Sequence, residues 1–111
     1  MNVENVKSQM RKGILEYCIL LIIKREAAYS NDIIRILQEA RLLVVEGTLY
    51  PLLTRLKNLD LLQYQWIESL QGPPRKYYAL TEKGEAALNE LSAAWSEIES
   101  TINQLKDFKI T

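Results

Sequence analysis

From Leu88 to Leu105 the chain places six apolar residues, Leu88, Leu91, Trp95, Ile98, Ile102 and Leu105, at steps of three, four, three, four and three. That is the a/d spacing of a helix with a single apolar seam, sustained for about two and a half heptads. Thr81 is suited to cap its start, and Glu82 and Glu85 lie near its positive end. A helix of roughly 27 residues runs about 40 Å, further than the rest of a 111-residue chain can cover. The seam therefore calls for a second chain. A core this small is marginal alone, and a shared apolar surface adds stability that a monomer lacks. The expectation is a homodimer closed through those six residues, with residues 1–81 as one domain and 82–111 as a dimerisation helix.

The same residues exclude most chemistry. Histidine is absent and Cys18 is the single cysteine, which removes the usual zinc sites and every His-assisted nucleophile. Four scattered glycines offer no phosphate-cradling loop. No catalytic residue, metal or cofactor is expected, and Cys18, inside an apolar run, reads as a small core residue. That run, Tyr17 to Ile23, is far short of the roughly 20 residues needed to cross a bilayer, and the N-terminus shows no secretory signal pattern. We expect a cytoplasmic protein that does not contact the membrane. Formal net charge is zero, but the charge is divided. Residues 1–81 carry eleven Lys/Arg against eight Asp/Glu, and residues 82–111 carry three against six. Two surfaces with different partners follow from that asymmetry.

Upstream of the seam the pattern is helical, then extended. Met10, Ile14, Tyr17, Cys18 and Leu21 fall at helical spacing and predict a first helix over about 7–24. Ser30 offers a cap for a short second helix to about Ala40, with Asp32 in its first turn capping backbone N–H groups. Arg41 to Val45 reads as a connector or a one-bridge strand. In "EGTLYPLLTRLKNLDLL", from Glu46, the residues Leu49, Leu52, Leu53 and Leu56 share one stripe, while Gly47, Pro51, Thr54 and Asn58 point the opposite way and Tyr50, Arg55 and Lys57 flank them. Pro51 fits a helix whose start lies close before it. A hairpin follows: an extended run from about Leu62 to Glu68, a turn at Gly72-Pro73-Pro74, and a second strand from Arg75 to Leu80. Tyr78 and Leu80 share one face of that strand, and its tip carries Arg75 and Lys76 outward as a basic, mobile end.

The fold class is mostly α with a small β-hairpin, in the order α-α-β-α-β-β: a winged helix-turn-helix plus a long C-terminal dimerisation helix. In that layout the helix from Glu46 to Asp60 enters the major groove of duplex DNA and the hairpin is the wing. Thr48, Tyr50, Pro51 and Thr54 form the groove-facing surface. Arg55, Lys57, Arg75 and Lys76 lie where phosphates would pass. Tyr50 fits either a DNA contact or half-buried packing, and we prefer the first.

"EGTLYPLLTRLKNLDLL" followed by "GPPRKYYALTEKG" resembles the PadR family of bacterial transcriptional regulators, whose recognition helix runs G-T-L-Y-P-x-L-x-x-L and whose wing runs P-R-K-Y-Y-x-L-T-x-x-G. The likeness covers nearly the whole chain and is to the small class with one C-terminal dimerisation helix. It implies a homodimer, a DNA-binding repressor on a palindromic operator, and release by a small aromatic effector that would stack on Trp95. For Trp95 itself, packing within the seam is the preferred alternative. Ser30-Asn31-Asp32 departs from the Gly-Tyr pair usual at the start of the second helix. Asp32 and the zero net charge leave a second reading open, a winged helix that binds another protein.

Overall fold

Residues 1–42 and 44–110 are described by the structure, a computed structural model. The element order is α1 (Val3–Arg25), α2 (Ser30–Glu39), α3 (Glu46–Asn58), β1 (Leu62–Ile67), β2 (Arg75–Leu80) and α4 (Glu82–Asp107). α1 starts before the expected Lys7 because Asn2 supplies a cap, its side chain accepting from the Asn5 N–H at 3.2 Å. Its apolar residues divide between an inner and an outer face. Leu15, Ile19, Leu20 and Ile23 are buried, whereas Met10 is 66% and Leu21 40% exposed. The periodicity from Met10 to Leu21 marks a flanking stripe, exposed at Met10 and Leu21 and packed against the core at Tyr17 and Cys18.

α2 and α3 end alike. The Leu42 N–H reaches the Leu37 carbonyl at 2.8 Å and the Arg41 N–H that of Gln38 at 2.9 Å; Leu61 and Asp60 repeat the pair onto Leu56 and Lys57, both at 3.0 Å. These are two Schellman closures. Arg41 (φ 64°) and Asp60 (φ 62°) take the left-handed position usually given to glycine. Each closure folds a leucine back onto the helix it ends.

The hairpin pairs Leu62 with Leu80, Tyr64 with Tyr78 and Trp66 with Lys76 on one face. Leu62 and Tyr78 are buried and join Ile33, Leu37, Leu49, Leu53 and Leu56 in the core. Of the two readings of 41–45, a connector or a one-bridge strand, the connector holds for the described residues. The described residues of that stretch are in no strand, and Leu43 lies outside the described residues. The bridge is made instead by Ala28, which exchanges hydrogen bonds with Tyr78 at 3.1 and 2.8 Å. The α1–α2 turn thus anchors the wing.

α4 is fixed only at its beginning. The Thr81 hydroxyl donates to the Asp60 carbonyl and accepts from the Gly84 N–H at 2.9 Å, while the Thr81 N–H donates to the Leu61 carbonyl at 3.1 Å. Gly84 and Leu88 are buried. Lys24 to Glu85 (2.8 Å) and Tyr17 to Ser92 (3.2 Å) lay α4 antiparallel on α1. Past Ser92 every described residue of α4 is exposed, and the molecule is drawn out to 65 × 32 × 21 Å.

Candidate nucleic-acid interface

α3 docks through Leu49, Leu53 and Leu56, all buried, with Leu52 half-buried beside them. Gly47, Thr48, Tyr50, Pro51, Thr54 and Asn58 are left exposed as one outward surface. α3 begins at Glu46, the start expected close before Pro51, which makes Pro51 the sixth residue of the helix. Lacking an N–H, it leaves the Gly47 carbonyl without its ladder partner on that surface.

Tyr50 is 45% exposed, and its hydroxyl lies 2.9 Å from that of Ser30. Ser30 therefore does not cap α2. The cap position is Tyr29, without a side-chain hydrogen bond, and Asp32 faces Arg35 at 3.9 Å instead of capping. The Ser30–Tyr50 contact ties the N-terminus of α2 to α3 and sets the direction of the phenol.

Aromatic rings hold the basic tip of the wing, which the sequence presented as mobile. The Arg75 guanidinium lies 4.6 Å from the Tyr29 ring centre, and Tyr29 packs on Tyr77 at 5.4 Å. The Lys76 ammonium lies 4.6 Å from the Tyr64 ring and 5.3 Å from that of Trp66. Lys57 approaches Tyr64 at 5.8 Å. Such contacts are worth about 0.5–1 kcal/mol each when exposed, enough to bias rotamers and leave the cations free for a stronger anionic partner.

Arg55 points the other way. Its guanidinium donates to both carboxylate oxygens of Glu16, pinning α3 to α1. Of the four cations expected at phosphates, Lys57, Arg75 and Lys76 are gathered on the wing side and Arg55 is engaged with α1.

Between the start of α2, the outer face of α3 and the wing lies a cleft of about 370 Å³ lined by Tyr29, Ser30, Asn31, Tyr50, Thr54, Trp66, Pro74, Arg75, Lys76 and Tyr78. It carries two cations and no carboxylate. Burial, with the neighbouring Tyr64 and Tyr50 hydroxyls as lesser causes, pushes the Tyr78 phenol above its ordinary value, so it stays neutral. The sequence reading missed Trp66, Tyr29 and Ser30. Trp66 alternates with Leu62 and Tyr64 on one face of β1, and only the tertiary structure shows that this face continues beyond the core.

The seam of α4 divides. Leu88 is 5% exposed and belongs to the core of this single chain, because the first two turns of α4 dock on it. Leu91, Trp95, Ile98, Ile102 and Leu105 face solvent. Among the described residues no cluster of potential metal ligands occurs, and no helix is long and apolar enough to cross a membrane.

Comparison with known proteins adds independent support. Residues 19–90 match the family model described as the transcriptional regulator PadR-like family. A PadR-like transcription factor from Bacteroides fragilis is 68% identical, with 91% of this chain and 98% of that one covered and a TM-score of 0.77. A PadR-like transcriptional regulator from Bacillus cereus is 37% identical over 91% and 99% of the two chains, TM-score 0.80. One from Eggerthella lenta is 30% identical over 96% and 94%, TM-score 0.87.

Proposed function

Because the chain belongs to the PadR-like family of transcriptional regulators, and so is a DNA-binding regulator and not an enzyme, we propose that it works as a homodimeric repressor on a palindromic operator. The observation that carries the reading is the cleft between α3 and the wing, where exposed Tyr50 and Thr54 stand beside ring-held Arg75 and Lys76 with no carboxylate among the lining residues. Thr48, Tyr50, Pro51 and Thr54 meet base edges in the major groove, and Lys57, Arg75 and Lys76 neutralise phosphates. Arg55 acts at one remove, by holding α3 against α1 through Glu16.

Two α3 helices related by a two-fold axis engage half-sites about one helical turn, roughly 34 Å, apart. The dimer forms where apolar surface is unspent: Leu91, Trp95, Ile98, Ile102 and Leu105 of α4, with the outer stripe of α1 (Val3, Val6, Met10 and Leu21) beside them. For Trp95 we adopt the seam-filling role. An aromatic effector stacked on it is implied by the family resemblance alone, and quenching of native tryptophan emission by planar aromatic compounds, lost in Trp95→Ala, is the result that would favour it.

The deciding experiment is duplex binding at several salt concentrations. Binding should fall steeply with salt, and Arg75→Ala with Lys76→Ala should weaken all duplexes alike and flatten the logarithmic salt slope by up to about 2. If no duplex is bound better than random sequence and the double variant matches the parent, a protein partner must replace DNA in this reading.

A further inference from the structure

Trp66 contributes little to the fold. It is 61% exposed, although it stands on the β1 face whose first residue, Leu62, is only 2% exposed. By Trp66 the hairpin has run past the core. Yet the indole is not free: it meets Tyr64 edge-on (6.2 Å between ring centres, 88° between planes), and its cross-strand partner Lys76 holds its ammonium 5.3 Å from the ring. It stands with Tyr50 and Thr54 of α3 along the cleft described above.

A large apolar surface held in one orientation beside cations suits a target that alternates apolar and anionic groups. The ridge of duplex DNA between a major groove and the adjacent minor groove has that character, with deoxyribose faces set between phosphates. A helix in the major groove and a wing beyond it must straddle that ridge, and the cleft lies between those two elements. We propose that Trp66 is a DNA-contacting residue: its indole packs on a deoxyribose of the strand crossing the cleft, while Lys76 presents its ammonium to a phosphate of the same strand. This rests on the DNA-binding reading and adds to it an apolar contact that releases no counterions.

The two side chains therefore fail differently. The probe is a mixed-sequence duplex of about three helical turns, roughly 30 base pairs, titrated at several salt concentrations. Trp66→Ala should weaken binding about tenfold, the effect of removing roughly 50–60 Å² of apolar contact, with the salt slope unchanged, whereas Lys76→Ala should lower the slope by about 1. Duplex should also quench native tryptophan emission and shield it from acrylamide, and both effects should be absent in Trp66→Phe, a conservative change at an exposed site that keeps the hairpin intact. Native-like affinity in Trp66→Ala, or emission indifferent to bound duplex, overturns the contact. A slope lowered as much by Trp66→Ala as by Lys76→Ala also overturns it, because Trp66 would then act only by holding Lys76. Should the native chain bind no duplex, the DNA-binding reading falls and this contact with it. Should it bind while Trp66 is silent, this inference alone is lost.

Discussion

Two positions can be tested with a single change of size at the α-carbon, and they have opposite signs. A Cβ at Gly84 would lie 2.0 Å from the Leu61 carbonyl oxygen, a backbone atom fixed by its bond from Thr81. Gly84→Ala must displace the start of α4 or the α3–β1 turn, and we expect a loss of about 1–3 kcal/mol. Arg41 holds a left-handed φ of 64° in the α2 closure with a Cβ that disfavours it. Arg41→Gly removes that cost and should stabilise by about 0.5–1 kcal/mol. Denaturant midpoints at one fixed protein concentration, with m-values compared, read both. A third single-residue expectation concerns Cys18. Burial pushes its thiol up from the ordinary range, so less thiolate is present at neutral pH and alkylation of the folded chain should be slower than that of a free thiol, becoming equal on unfolding.

At the scale of elements, the recognition surface depends on how α2, α3 and the wing are tied together. The Ser30–Tyr50 contact and the Glu16–Arg55 pair fix α3 from two sides, and the Ala28–Tyr78 bridge fixes the wing to the α1–α2 turn. Tyr50→Phe removes one tie while keeping the ring. It should reduce preference for the operator over random duplex by a few-fold, and Thr54→Ala should do likewise, with the salt slope of either variant unchanged. Competition gel shifts against random duplex measure the preference. An equal loss on operator and random DNA would mean that these side chains act only through general affinity.

For the whole molecule, the question is what covers the free half of α4. A single protomer leaves Ile98 51%, Ile102 44% and Leu105 61% exposed along one side of a helix, a patch that soluble monomers rarely carry unpartnered. In the dimer we propose, replacing Ile98 and Ile102 by Glu sets like charges against one another across a two-fold axis. Sedimentation should then show monomers, and operator binding should be lost because the two α3 helices no longer hold a common spacing. A dimer of that variant that still binds the operator would assign the interface to other residues.

Local periodicity sufficed for the elements. The leucines of α3, the Gly-Pro-Pro turn with its flanking strands, the Thr81 cap and the a/d steps of α4 each report geometry set within a few neighbouring residues, and the two family motifs are short contiguous strings. The sequence also separated the polar face of α3 from its leucine face, because a helix fixes those directions once its period is known. What it left undecided were choices between apolar faces and between partners for a charge. α1 is apolar on two sides, so its pattern could not say that Leu15, Ile19, Leu20 and Ile23 go inward and Met10 and Leu21 outward; the placement of α4, β2 and α2 against it decided that. Leu88 and Leu91 both lie on the heptad seam, yet only Leu88 is covered within the chain. Ser30 turned to Tyr50 and Arg55 to Glu16 because residues 20 and 39 positions away in the chain came within hydrogen-bonding reach. Periodicity is set by bonds along the chain, whereas burial and pairing depend on what folding brings beside each residue.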